Sequence, residues 1–307
     1  MMRFLVSGAS GLLGLNFGLQ MCARHEVVGV VNEHGLVNTP FAVETADLAS
    51  PGESIRLLEN TRPDVLLHCA ALANIDACEA QPELAYRINA EVPGELAAAC
   101  RRMGIRMVHI STDAVFDGQL GGYSEEDATN PINVYARTKL AGEQQVAENN
   151  PEAIIARVNF YGWSLRGKRS LAEFFYYSLS GGKKMMGFTD VLFCPLQVND
   201  LADVLVSMVE KDLHGLYHVL SPESISKYEF GCRIARRFGL DDGLIEPTSW
   251  EKAGLKANRS PCLTLNVEKL TRDLGNTLPD QQQGIERFFA TFEQGLPQRL
   301  RSLDAGV

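Results

Sequence analysis

The sequence predicts an α/β fold, a doubly wound parallel sheet with a smaller C-terminal lobe. Three observations carry this reading. Short β-branched runs alternate with helical stretches through the first half, a glycine-rich loop joins the first run to the first helix, and beyond residue 160 the alternation loosens. Strand–helix alternation builds right-handed βαβ units, whose helices cover both faces of a parallel sheet.

Arg3–Ser7 reads as a buried strand, Leu12–Arg24 as a helix and Glu26–Asn32 as a second, valine-rich strand. A short strand is expected before Asp47, and Asp64–Cys69 is the next apolar run, introduced by Arg62-Pro63. Between Glu83 and Met103, Leu84, Ile88, Val92, Leu96 and Cys100 recur four apart, the stripe of a helix. Pro93 lies inside that stripe and predicts a kink, because it has no N–H and its ring crowds the preceding turn. Arg106–Ser111 follows as a strand, Val134–Glu148 as a helix and Ala153–Val158 as a strand. Further on, Gly181-Gly182-Lys183-Lys184 reads as a turn, and Val198–Val209 as a helix opened by Asn199 or Asp200. Leu216–Leu220 is an expected strand, and Lys227–Phe238 an amphipathic helix stopped at Gly239. The tail from Glu246 mixes Pro247, Pro261 and Pro279 with short apolar pieces, and no internal repeat is visible. These features divide the chain into a dinucleotide-binding domain, 1–160, and a mainly substrate-binding lobe, 161–307. A stretch of the latter, about 189–220, returns to the first domain.

The 307 residues are 45% hydrophobic and 22% charged, ordinary proportions that exclude a disordered or fibrous chain. A net charge of −9 argues against nucleic-acid backbones and anionic membranes as partners. No apolar run reaches the roughly 18 to 20 residues that span a bilayer, and the apolar start is too short for a signal peptide. The seven cysteines are scattered without a Cys-x-x-Cys pair, which suits free thiols in a reducing, cytoplasmic compartment. No His, Asp or Glu cluster has metal-ligand spacing, so no metal is expected.

The first strand runs into Gly8-Ala9-Ser10-Gly11-Leu12-Leu13-Gly14 and then a helix. Glycines at that junction permit a tight turn, close backbone approach to a pyrophosphate and close helix–strand packing, while N–H groups at the helix start hold the phosphates. The end of the second strand reports cofactor preference, because an acidic residue there would bind the adenosine ribose of NAD. The sequence has Asn32 instead, which does not repel a 2′-phosphate, although no arginine follows to bind one. NADP(H) is favoured, with NAD(H) as the alternative. Asp47 and Leu48 either flank the adenine or, equally well, form a capped turn.

Tyr135-Ala136-Arg137-Thr138-Lys139 puts a phenol and an ammonium on one helical face, and Ser111-Thr112-Asp113 ends the strand expected beside it. A phenol can give a proton to a carbonyl that receives hydride, and a nearby Lys139 cation should favour the phenolate. A hydroxyl from Thr112 would hold the substrate oxygen.

These stretches resemble the extended short-chain dehydrogenase/reductases, and within them the dTDP-4-dehydrorhamnose reductase-like group. The similarity covers nearly the whole chain in order: Gly8–Gly14, Arg62–Val65 leading to Ala70-Ala71, Glu83–Tyr86 with Asn89-Ala90, Ile110–Gly118, Asn133–Glu143, Gly215–Val219 and Leu265–Leu270. The resemblance implies a Rossmann-type domain, with Thr112, Tyr135 and Lys139 as the catalytic triad. It also implies that Gly8, Ser10, Gly11, Leu12, Leu13, Ala70 and Ala71 surround the cofactor. The implied reaction is NAD(P)H-dependent reduction of a 4-keto group on a nucleotide-activated sugar. A 4-epimerase, or a non-catalytic NADP-binding regulator similar to the subunit of methionine adenosyltransferase, would share the fold. The partners implied are the nucleotide sugar and, at most, a second copy of the chain.

Three departures fall at the sugar end. Ala114 stands where the group carries tyrosine, Phe160 where a strand delivers a tryptophan, and Leu192-Phe193-Cys194-Pro195 replaces a turn with glutamine and glycine. Sugar-nucleotide dehydratases have a glutamate at the Ala114 position. Asp113 is not expected to replace it, because adjacent strand residues point to opposite faces. Arg259 matches the group's C-terminal arginine and could reach a diphosphate. Arg166, Lys168 and Arg169 read either as a lid over that diphosphate or as a solvated loop. His68 and His109 read as core histidines, and Phe174–Tyr177 as a core helix face.

Overall fold

A computed structural model describes residues 1–253 and 261–306. Seven parallel strands form one sheet. Along the chain come β1 (Arg3–Ser7), α1 (Leu12–Met21), β2 (Glu26–Val31), β3 (Ala42–Thr45), α2 (Glu53–Thr61) and β4 (Val65–His68). Next are α3 (Ile75–Ala80), α4 (Pro82–Tyr86), α5 (Val92–Met103), β5 (Arg106–Thr112), α6 (Val134–Asn149) and β6 (Ile154–Val158). The strand Gly215–Val219 closes the sheet beyond β6, so the order reads from it through β6, β5, β4, β1 and β2 to β3. The strand order reverses between β1 and β4, where a crevice opens at the carboxyl ends.

Side-chain alternation sorts two cores. Phe4 and Val6 face one side with Leu13, Phe17 and Trp163, beneath α1. Leu5 faces the other with Val28, Leu66 and Leu96, beneath α2, α5 and α6. The register Leu5↔Val28 and Leu5↔Leu66 keeps those partners on one face.

Two expectations need correction. The stripe from Glu83 is not one kinked helix: α4 passes into α5 through a π-helical turn, Arg87–Glu91, where the Val92 N–H bonds the Arg87 carbonyl. Pro93 lies just inside α5. The wider turn shifts the hydrogen-bond register there, which accommodates a residue without an N–H. The second correction concerns α8 (Val198–Glu210), which follows α7 (Leu171–Ser180) and the turn at 181–184. It is opened by Gln197, whose side chain accepts from the Asn199 and Asp200 N–H groups at 2.6 and 3.1 Å. Asn199 and Asp200 therefore sit inside it.

The lobe holds more order than its sequence suggests. Met185–Phe188 pairs in parallel with Ile245–Thr248, and Leu192–Phe193 pairs with Ile225–Ser226 and Cys262–Leu263. The helix α9 (Lys227–Arg237) packs on α7. Among the described residues the tail from 261 holds the α-helices Glu268–Leu274, Gln281–Glu293 and Leu296–Arg301. Among the described residues no helix is long and apolar enough to cross a membrane.

Candidate active site

β1 turns at Gly8, whose φ of 68° lies in the left-handed region, and a Cβ there would come 2.9 Å from the Ala70 nitrogen. A Cβ on Gly14 would run into the Gly8 carbonyl oxygen, so only glycine lets α1 lie this close. α1 begins after Gly11 with no side-chain cap and no acidic residue in its first turn. Ser7 Oγ accepts the N–H groups of Cys69 and Ala70 at 3.1 and 3.2 Å and bonds His68 Nδ1 at 2.8 Å, tying β1 to the end of β4. The result is a backbone-lined cradle at the crevice, and a pyrophosphate fits it: close approach is open and N–H groups face it.

Ser10, Gly11, Leu12 and Ala70 are half-buried around this cradle and Ala71 is exposed beside it, whereas Leu13 turns its side chain into the core. Asn32 is exposed just past β2. The Asp47 carboxylate accepts from the Ala49 N–H and the Ser50 hydroxyl at 3.0 and 2.9 Å, and Leu48 is buried in the second core. The Asp47 side chain thus caps its own turn.

Thr112 ends β5, and Tyr135 and Lys139 lie on α6, which Asn133 caps by accepting the Ala136 N–H at 2.8 Å. The Thr112 hydroxyl acts to lower the Tyr135 phenol. Burial nevertheless pushes the Tyr135 phenol up to about 12. The expected pull of Lys139 toward phenolate is absent. Lys139 is only 2% exposed, and its Nζ donates to the Ile110 carbonyl at 2.7 Å. Its own desolvation lowers it to about 8, with Glu143 acting in the opposite direction.

Asp113 does not follow the strand pleat, contrary to expectation. β5 ends at Thr112, and Asp113 opens a 3₁₀ turn, Asp113–Val115, so alternation no longer applies. Its carboxylate accepts from the Thr112 hydroxyl at 3.1 Å and from Asn159 Nδ2 at 2.6 Å, and it acts on Tyr135 electrostatically. The exclusion of dehydratase chemistry thus rests on Ala114 alone. A signal was available: an acidic residue beside a strand-end Ser-Thr, in a segment that need not continue the strand.

Two further groups escape sequence reading. Asn89, in the π turn, accepts the Leu72 N–H and donates to the Leu72 carbonyl and to Thr138 Oγ1 at 2.9, 3.0 and 3.1 Å, pinning the segment after Ala71 to α6. Glu143 and Arg157 form a buried ion pair at 2.8 Å, with Ser111 Oγ donating to Glu143 at 2.5 Å. No spacing rule joins residues on separate elements.

Phe160 lies half-buried on a short strand beside Leu196–Gln197. Arg259 lies outside the described residues. Arg166 is bidentate to Asp304 at 2.7 and 3.1 Å, and with Lys168, Tyr177 and Arg301 it lines a pocket on α7 that includes none of Thr112, Tyr135 or Lys139. His68 and His109 are buried and stacked, centroids 5.5 Å apart. In the aromatic run Phe175 is core, but Phe174 is 52% exposed. Among the described residues no three His, Cys, Asp or Glu side chains group as a metal site.

A parallel sheet with a glycine cradle at its switch point, and a Thr, Tyr, Lys set on the next strand and helix, defines an extended short-chain dehydrogenase/reductase. The chain belongs to the RmlD substrate binding domain family, whose profile matches residues 2–294. It is 31% identical to the probable low-salt glycan biosynthesis reductase Agl14 of Haloferax volcanii, over 95% of this chain and 98% of that protein. It is equally 31% identical to methionine adenosyltransferase 2 subunit beta of Pongo abelii, over 90% and 84%. The crystal structure of dTDP-4-dehydrorhamnose reductase from Bacillus anthracis, in complex with NADP, superposes with a TM-score of 0.81 at 27% identity, covering 94% of this chain and 99% of that one.

Proposed function

We propose that the protein reduces a 4-keto group on a nucleotide-activated sugar, with NADPH as the preferred reductant. The observation that carries this is the interacting pair of hydroxyls, Thr112 at the end of β5 and Tyr135 on α6, together with the glycine cradle after β1. Similarity to two reductases, one bound to NADP, supports it.

Bound NADPH supplies the hydride. Gly8, Ser10, Gly11, Leu12 and the Leu13 backbone hold its pyrophosphate; Ala70 and Ala71 line its path; Asn32 tolerates the 2′-phosphate, and Asp47-Leu48 shape the adenine end. Tyr135 stays protonated at neutral pH and gives its proton to the ketone oxygen, which Thr112 orients. Lys139, largely charged at neutral pH, anchors the nicotinamide ribose. Phe160 and Arg259 are assigned to the sugar and its diphosphate. Residues 1–160, with the stretch of about 189–220 that returns to them, form the cofactor domain, and the rest of 161–307 the substrate lobe. The work is cytoplasmic, in a monomer or a homodimer.

Methionine adenosyltransferase subunit beta motivates a second reading, a regulator that binds NADP(H) without turnover. Mixing the purified protein with dTDP-, GDP- and UDP-4-keto-6-deoxyhexoses and NADPH separates them. Stoichiometric loss of reduced nicotinamide is expected from at least one. Tight NADPH binding with no oxidation by any would favour the regulator, and product interconversion without net oxidation would favour an epimerase.

A further inference from the structure

The Thr112 hydroxyl has one hydrogen and two lone pairs to distribute. One lone pair takes the Ala114 N–H at 3.2 Å, and its hydrogen goes to Asp113 Oδ1 at 3.1 Å. While Asp113 is a carboxylate, the Thr112 hydrogen is engaged within the protein and does not face a ketone. If Asp113 is protonated, the direction reverses. Its O–H donates to Thr112, both Thr112 lone pairs are filled, and the Thr112 hydrogen is released.

We propose that Asp113 is a positioning residue whose protonation turns the Thr112 hydroxyl hydrogen toward the substrate's carbonyl oxygen; this rests on the reductase reading. Asp113 is suited to hold that proton. It is 4% exposed, and burial raises its carboxyl to about 6. The groups facing it are Tyr135 from α6, Lys227 at the start of α9, Asn159 after β6 and Cys194 from the lobe. Among the described residues Lys227 opposes protonation with a full charge; the Tyr135 and Cys194 groups are both pushed upward, to about 12 and about 11, and stay neutral over the range where Asp113 titrates.

Carboxyl-¹³C aspartate NMR of the cofactor-free protein tests the first half, with the Asp113 signal assigned by its loss in Asp113→Asn. A bond from Thr112 favours the ionised carboxyl, so Thr112→Val should raise the Asp113 midpoint by roughly half a pH unit or more, and Thr112→Ser should restore it. An unmoved midpoint in Thr112→Val overturns the proposal. The second half is read in the pH dependence of keto-sugar reduction. Turnover should rise as pH falls through the Asp113 midpoint in the parent. In Asp113→Asn, whose amide can donate permanently to Thr112, the profile should lose that limb while activity persists. A limb that persists unchanged in the Asp113→Asn variant also overturns the proposal. A shifted midpoint together with no reduction of any keto sugar would support the hydroxyl switch and sink the reductase reading.

Discussion

Tyr135 keeps its proton far beyond neutral pH, because burial pushes the phenol up to about 12. Removing that proton source should leave the cradle untouched. Tyr135→Phe is expected to lower turnover on the order of 10²-fold or more with NADPH affinity unchanged, and turnover within a few-fold of the parent would remove Tyr135 from the chemistry. Asp113 gives a second single-residue prediction. Its folded carboxyl titrates near about 6, above the unfolded value of about 3.9. The folded state therefore binds the proton more tightly, and the associated stability is full below about pH 4 and lost as pH rises through 6. At pH 8 the ionised, buried carboxyl costs up to ~3 kcal/mol, two pH units at about 1.4 kcal/mol each. Asp113→Asn should accordingly raise the melting temperature at pH 8 and leave it nearly unchanged at pH 4; equal shifts at both would contradict this burial cost. These roles are only half legible in the sequence. Thr112, Tyr135 and Lys139 stand in a recognisable spacing. That Lys139 bonds the Ile110 carbonyl and that Asp113 turns back onto Thr112 depend on where β5 stops, which no residue pattern marks.

At the scale of elements, the junction of β1 with α1 follows from steric rules the sequence states openly. Gly14 has no space for a methyl group against the Gly8 carbonyl, so Gly14→Ala must push α1 away from the loop. An outward shift moves every N–H group of the first turn, and a loss of at least about tenfold in NADPH affinity is expected by calorimetric titration. Unaltered affinity would mean that the cradle is not where the phosphates bind. The end of β2 makes a subtler prediction. Asn32 lies exposed past Val31 and brings no carboxylate to repel a 2′-phosphate, so NADPH should bind at least as well as NADH. A preference for NADH of about tenfold in the same titration would overturn that reading. Elements with strong periodicity are legible to within a few residues, as α6 shows. The π turn before Pro93 and the Gln197 cap are not. Both come from a hydrogen-bond register that a lone proline or glutamine does not disclose.

Across the whole molecule, the buried pair of Glu143 and Arg157 joins parts that the chain keeps far apart. Glu143 lies on α6 one turn beyond Lys139 and accepts from Ser111 on β5. Arg157 on β6 reaches it with Nε and a terminal nitrogen, sits 3.4 Å from His218 of the closing strand, and lies over the Phe116 ring. His218 Nδ1 in turn meets the Asn266 carbonyl in the tail at 3.1 Å. One ion pair thus sets α6, three strands and the C-terminal segment against each other. Taking two charges out of water carries a large desolvation cost, and the pair recovers it only while both members remain. Arg157→Met should therefore leave a buried carboxylate without its partner and destabilise the fold by about 3 to 5 kcal/mol in urea unfolding. Adding Glu143→Met removes the stranded charge, so the double variant should be more stable than Arg157→Met alone. Strict additivity of the two single losses would show that the pair is held together by neighbours and not by its mutual charge. The double variant also separates architecture from chemistry. Glu143 holds the Lys139 ammonium toward its charged form. With that carboxylate gone, Lys139 falls below about 8 and loses its charge at a lower pH than in the parent. Turnover in the double variant, relative to the parent at the same pH, should be low near neutrality and recover as pH falls and the ammonium reforms. A stable double variant whose relative turnover does not recover at lower pH would show that the ion pair serves the position of α6 and not the charge of Lys139.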